Sequence, residues 1–492
     1  MVFNSLEFLL CFPLVLLFYF LLPKKMTWVW LLAVSYWFYM SWNPTLIVLI
    51  LFTTLVSYAG GLLIEKSRRP AVRKTALIGT ILVCLGVLFF FKYFNFLGET
   101  FNGIVSLWSE DVPFEPLDLI LPVGISFYTF QTLSYAIDVY RGTIPAEKHL
   151  GYYALYVSFF PQLVAGPIER PENLLPQLKE KHPLTRSNLQ AGLRKMVVGY
   201  FKKVVVADIL AGYADRVFNA PAEAPGPAVL IAALLFTFQI YCDFSGYTDI
   251  AIGCARIMGI RLMQNFDLPY TSKSIKEFWG RWHISLSSWF KDYIYIPLGG
   301  SRCSEFRHAL NVLIVFLVSG LWHGASWHFV LWGGLHGVYQ IIGIALKKPR
   351  RALHEKLHIN EKKGWYPAFE TVGTFLLVAF AWLVFRANST GDLFLLVRSL
   401  FTDWSLDTAF LRGAVMFTGL DLESALLCIA AVVVMDMMDK AERRCPDVSD
   451  EEAAALPRTR LIPWTAAVWA VALAWVILTV QGGSGTFIYF QF

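Results

Sequence analysis

Charge is scarce in this chain. Only 16% of its residues are Asp, Glu, Lys or Arg, against roughly 25% in ordinary globular domains. That excludes a typical soluble or nucleic-acid-binding protein. Cysteine is present without pattern. Cys11, Cys84, Cys242, Cys254, Cys303, Cys428 and Cys445 form no C-x-x-C pair, so neither a disulfide scaffold nor a zinc site is encoded. There is no G-x-S-x-G turn and no soluble Ser-His-Asp domain, so a serine-nucleophile step would need another protein. The apolar run 6–22 leads through Pro23-Lys24-Lys25 into a second apolar run with no small-residue cleavage site. It reads as a membrane span rather than a signal peptide.

What is present is apolar. Hydrophobic residues make up 56% of the chain, with 40 Phe, 21 Tyr and 17 Trp, the composition of a polytopic membrane protein built as one continuous domain. A helix of about 20 apolar residues crosses a bilayer core. Twelve stretches qualify as expected spans: 6–22, 27–42, 46–64, 75–95, 118–137, 197–217, 227–251, 309–323, 327–346, 368–386, 414–436 and 461–480. The stretch 150–165 is also apolar but is interrupted by Pro161, which predicts a re-entrant or buried segment. Loop charge sets the orientation. The loops 65–74 and 347–363 are rich in Lys and Arg and belong in the cytoplasm, whereas 96–117 has four acidic residues and no Lys or Arg and belongs outside. With twelve spans, both termini lie outside.

Three regions break the apolar pattern. Residues 264–308 form a cytoplasmic re-entrant or interfacial region. Within it, Ser274 and Glu277 have the spacing of a helix cap, and 274–291 predicts one amphipathic interfacial helix with Phe278, Trp282, Leu286 and Trp289 on the apolar face and Lys276, Gly280, His283, Ser287 and Lys291 on the other. Gln239, Asp243 and Asp249 fall within or near a span, where ionisable groups mark either function or helix–helix hydrogen bonding. Residues 318–337 hold His323, His328 and His336 among glycines in an otherwise apolar stretch. This favours a polar cavity reaching membrane depth. Their spacing does not put three imidazoles on one helical face, so no metal is expected. After the last expected span, 481–485 is a Gly-rich hinge, and 486–492 is an apolar tail that either anchors in the aromatic belt or folds back into an outward cavity.

Arg281-Trp282-His283-Ile284-Ser285-Leu286-Ser287 followed by Leu321-Trp322-His323-Gly324-Ala325 resembles the membrane-bound O-acyltransferase family, in its bacterial branch of alginate O-acetyltransferase-type, polysaccharide-modifying proteins. Leu121-Pro122-Val123-Gly124, Ala165-Gly166-Pro167-Ile168, Asp243-Phe244-Ser245-Gly246-Tyr247 and Asn265-Phe266-Asp267 support the likeness. It implies an all-α ring of about 11–12 transmembrane helices around a thin centre, with cytoplasmic and extracytoplasmic funnels. Residues 1–460 would form the core, with central histidine-bearing helices at 309–346. A final span at 461–480 and an outer tail at 481–492 would follow.

The resemblance places the principal family histidine at His323 and the second family position, a histidine or asparagine, at His283. Phe487-Ile488-Tyr489-Phe490-Gln491-Phe492 is similar to an F-x-Y-x-Q-F motif found at the C-terminus of some such acyltransferases, and so favours the folded-back tail. The implied reaction takes acetyl from cytoplasmic acetyl-CoA, the donor substrate, with no tightly bound cofactor. His323 would be the base and Tyr489 the acceptor. An extracytoplasmic SGNH-type serine acetyltransferase would complete delivery to an exported or cell-wall polysaccharide. His336, Trp322, Asp243 and Gln491 are tunnel or second-rank residues. The implied location is the bacterial inner membrane. A D-alanyl donor on a carrier protein is the nearer alternative, and a non-enzymatic transporter the alternative from another class.

Overall fold

The computed structural model describes residues 2–109, 113–163, 166–358 and 364–443. Among them every regular element is helical. Five helices are long and apolar enough to cross a membrane, and two bent helix pairs raise the number to seven. The expected span 461–480 and the tail lie outside the described residues. The chain divides into two compact units, one including residues 1–197 and 247–263, the other 198–246 and 264–448.

In the first unit, Ser5 caps the helix Leu6–Leu21 by accepting the Phe8 N–H at 3.3 Å. Lys24–Met40 and Ile47–Lys66 follow. The next helix, Pro70–Val105, starts with proline at a position where its missing N–H costs nothing. It runs well past the expected span 75–95. The expected span 118–137 is corrected. Residues 113–124 are not helical, and the helix Ile125–Arg141 begins only after Gly124, which has φ +73°. Asn side chains hold the preceding segment. Asn95 exchanges hydrogen bonds with the backbone of Leu117 at 2.8 and 3.0 Å, and Asn102 does the same with Phe114 at 2.6 and 3.0 Å. The Pro161 stretch is buried as expected, from Tyr153 to Leu163.

In the second unit, the expected span 197–217 is not a continuous α-helix. Phe201–Ala207 is a π-helical turn, followed by the helix Asp208–Phe218. Glu305–His323 and Tyr366–Arg386 are span-length helices, as is Gly226–Ile257, whose residues 226–246 belong to this unit and whose remainder belongs to the first. Trp327–Ala345 bends by 48° into Lys347–Lys356, and the expected span 414–436 is broken by 63° at Gly419, φ +64°.

The predicted amphipathic helix 274–291 is also corrected. It is two short helices, Ile275–Trp279 and Ile284–Phe290, separated by Gly280 and a left-handed His283, φ +43° and ψ +53°. The cap at its start is real, since Ser274 Oγ accepts from Glu277 N at 3.2 Å. The surface location is not. Phe278, Trp282, His283 and Leu286 are each 1% exposed or less. The aromatic residues prefer ring partners inside the protein: Trp282 lies 4.8 Å from Trp382 and 5.5 Å from Phe278, centroid to centroid.

Candidate functional site

His323 ends the helix Glu305–His323. Gly324 then leaves the helical conformation, and Trp327–Ala345 begins after Ser326. This tight return is built from glycine. A Cβ on Gly320 would collide with the Phe329 carbonyl, one on Gly333 with the Phe316 carbonyl, and one on Gly324 with the Phe329 ring. The two backbones therefore touch directly, and the position of His323 follows from that contact.

The His323 ring is oriented by its own helix. Nδ1 lies 2.7 Å from the Ser319 carbonyl oxygen. A carbonyl only accepts, so Nδ1 carries the proton, and in the neutral ring Nε2 is the basic nitrogen. Aromatic edges surround it, with Trp332 at 4.8 Å, Trp322 at 4.9 Å and Phe385 at 5.7 Å.

His283 reaches the same neighbourhood from the broken segment. Its ring is 5.9 Å from Trp322 and edge-on to Phe244 at 4.7 Å. Trp322 thus touches both histidines. Asn265 holds the turn. Its side-chain oxygen lies 3.4 Å from His283 Nδ1 and accepts from Ser285 Oγ at 2.6 Å and Ser285 N at 3.2 Å, while its carbonyl accepts from Ile284 N at 3.0 Å. Burial pushes the His283 imidazole well below its ordinary pKa, and nearby His323 pushes it further the same way. A neutral ring lining the site follows, rather than a fixed positive charge.

His336 lies two turns into the second histidine helix and is fully buried. Its Nδ1 accepts the Trp279 indole N–H at 3.2 Å. His328 is turned to Ser326, whose Oγ is 2.8 Å from Nδ1. Asp243 is engaged by Lys203 at 2.5 Å, with both side chains almost fully buried. Tyr489 and Gln491 lie outside the described residues. Among the described residues no group of three or more His, Cys, Asp or Glu is arranged to hold a metal ion.

Sequence reading passed over several residues that shape this site. Asn265 lies in the segment Asn265-Phe266-Asp267, where nothing in the sequence pointed to a structural task. Lys202 and Lys203 sat unremarked inside the expected span 197–217, although two charges in an apolar run were a signal. Lys202 Nζ pairs with Asp436 Oδ1 at 2.7 Å, and Asp436 Oδ2 accepts from Tyr241 Oη at 2.5 Å. Lys203 also pairs with Asp208 at 3.0 Å. This network borders the histidine region because Tyr241 and Phe244 share one helix and both pack on Phe266, at 5.6 and 5.1 Å.

The family model for membrane-bound O-acyltransferases matches residues 148–369, which include the His283 turn and the histidine hairpin. The chain is 38% identical to the probable alginate O-acetylase of Azotobacter vinelandii, over 88% of this chain and 84% of that protein. It is 37% identical to the peptidoglycan O-acetyltransferase of Helicobacter pylori, over 75% and 72%. It is 27% identical to the teichoic acid D-alanyltransferase of Bacillus subtilis, over 60% and 78%. The matched region carries the glycine-packed hairpin and both histidines, and the relatives extend along most of the chain: this multi-pass, all-helical membrane protein belongs to the membrane-bound O-acyltransferase family.

Proposed function

We propose that this protein is a membrane O-acetyltransferase of the bacterial inner membrane that takes acetyl from cytoplasmic acetyl-CoA and delivers it outward for polysaccharide modification. The observation that carries this reading is the fixed tautomer of His323. With Nδ1 committed to the Ser319 carbonyl, Nε2 is the proton acceptor in a water-poor aromatic setting. The names of the relatives supply the acetyl group and the glycan class.

The acceptor in this reading is Tyr489. Its phenol, with an ordinary pKa of about 10, needs a base. His323 Nε2 takes the Oη proton as Oη attacks the thioester carbonyl carbon. The C–S bond breaks, and the CoA thiolate leaves with the proton held on His323. The acetyl-tyrosine is a phenyl ester, more activated than an alkyl ester. A serine of an extracytoplasmic SGNH-type partner attacks it, regenerates the phenol and passes acetyl to a polysaccharide hydroxyl. Both termini face outward in this arrangement. His283, neutral and pinned by Asn265, lines the inner approach.

The experiment is incubation of purified protein with labelled acetyl-CoA, followed by peptide mapping. Label on Tyr489 that vanishes in His323→Ala and Tyr489→Phe is the expected result. A folded His323→Ala protein with near-normal turnover overturns the base assignment. Label absent with acetyl-CoA but present with a D-alanyl carrier protein would move the donor to the class named by the Bacillus relative.

A further inference from the structure

We infer that His336 is an oxyanion donor: its Nε2–H hydrogen-bonds the acyl carbonyl oxygen as negative charge develops there. This rests on the acyl-transfer reading above and assigns a task which that reading leaves open.

The neighbour of His336 fixes its tautomer. An indole N–H only donates. The Trp279 N–H, 3.2 Å from His336 Nδ1, therefore occupies the Nδ1 lone pair, and the neutral ring must carry its proton on Nε2. A doubly protonated ring would set two N–H groups against each other at Nδ1. His336 is thereby disqualified as the base, since its only lone pair is already taken.

The second observation is that Nε2 is buried and, among the described residues, unpartnered. The ring is completely buried, parallel to Phe278 and edge-on to Trp332 at 5.1 Å. Its Nε2 has no hydrogen-bond partner among the described residues, and neither does the indole nitrogen of Trp332. A buried donor without an acceptor is costly. Each of these two donors, in rings that touch, calls for an acceptor oxygen.

The third is the pairing with His323. Both imidazoles pack on the same Trp332, His323 at 4.8 Å and His336 at 5.1 Å. Their tautomers are opposite. His323 has its proton on Nδ1 and a lone pair on Nε2, and His336 has the reverse. Acyl transfer needs both functions, a base for the attacking hydroxyl and a donor for the carbonyl oxygen. Aromatic walls keep the local dielectric low and strengthen such a bond. No covalent bond to His336 forms, and no proton leaves it.

The test compares two amides. Gln at position 336 places its NH2 near the Nε2 position, while Asn reaches only the Nδ1 position. Single-turnover loss of acetyl from labelled acetyl-CoA is measured for wild type, His336→Gln and His336→Asn, with the donor concentration at half-saturation. We expect His336→Asn to slow the chemical step by about 10²–10³-fold, the usual loss for an oxyanion donor, with half-saturation changed less than about threefold. His336→Gln should recover at least about tenfold of that loss. A structural role alone would make the two variants equally slow, or would raise half-saturation while sparing the rate; either result overturns the inference. So does a wild-type rate in His336→Asn. Failure of the tyrosine relay is seen separately, as acetyl-CoA consumption without label on Tyr489. If wild type uses only a carrier-bound acyl thioester, the donor assignment falls and the same comparison is read with that thioester, whose carbonyl is the same.

Discussion

Lys202 and Asp436 are 234 positions apart in sequence, yet their side chains meet at 2.7 Å with exposures of only 3% and 9%. A buried pair of this kind adds little over a well-packed apolar pair, but removing one partner strands the other. Lys202→Met should destabilise the protein by about 3–5 kcal/mol, read as a fall in melting temperature in detergent. Lys202→Met with Asp436→Leu should recover part of that loss. Equal melting of the single variant and wild type would contradict the buried pairing.

Position 283 tests backbone conformation apart from chemistry. A left-handed residue that is not glycine is most often Asn, Asp or His, and His283 has φ +43° and ψ +53°. His283→Asn should therefore fold with near-normal thermal stability. His283→Val puts a β-branched side chain in the same conformation and should cost about 1–2 kcal/mol or more. The comparison is a melting curve for each variant. The same geometry gives a physical reason why the resemblance allows either histidine or asparagine here.

The glycine contact at the histidine hairpin has an internal control. A Cβ at Gly320 or Gly333 meets backbone carbonyls, whereas one at Gly343, on the same helix as Gly333, meets nothing within 4 Å. Gly333→Ala should lower stability by about 1–3 kcal/mol and displace His323, so acyl transfer should fall with it. Gly343→Ala should be neutral or stabilising by up to about 1 kcal/mol. Transfer assays and melting curves on the two variants separate the outcomes.

Glu169 gives a pH prediction. Its carboxylate accepts from Met263 N, and from Asn173 Nδ2 at 2.7 Å. Burial pushes its carboxyl up to about 7. The folded value is above the ordinary value of 4.5, so this group's contribution to stability is full below pH 4.5 and is lost as pH rises through about 7. Glu169→Gln should flatten the melting temperature across that window. An unchanged pH slope in the variant would rule out Glu169 as its source.

The histidines, the glycine break and the Ser274 cap were legible because each is a local pattern. The turn at His283 was not, since its conformation depends on hydrogen bonds that Asn265, 18 residues upstream, accepts from Ser285 and Ile284. Periodicity alone made 274–291 one amphipathic helix. The aromatic face that suggested a membrane surface is satisfied by Trp382, about a hundred residues downstream. The late start of Ile125–Arg141 had its signal in Pro122 and Gly124, which hydropathy overrode. The carboxylate partners of Lys202 and Lys203 could not be named from sequence, because pairing at that separation is a property of the packed helices.

Lys203 and Asp208 are five residues apart and meet at 3.0 Å. In an α-helix, residues at that separation diverge, whereas a π-helical turn closes on the fifth residue. The turn Phe201–Ala207 therefore acts as a register shift of one residue written into the helix. Deleting any one of Val204, Val205 or Val206 would let an ordinary α-helix keep the Lys203–Asp208 pair at a spacing of four. Because Asp208 would keep its place against Lys203, the residues that follow it, buried Leu210, Ala214 and Val217 among them, would keep their packing face. Loss of one valine here would thus be absorbed by the turn, whereas the same loss in the α-helix Asp208–Phe218 would rotate all that follows by about 100°.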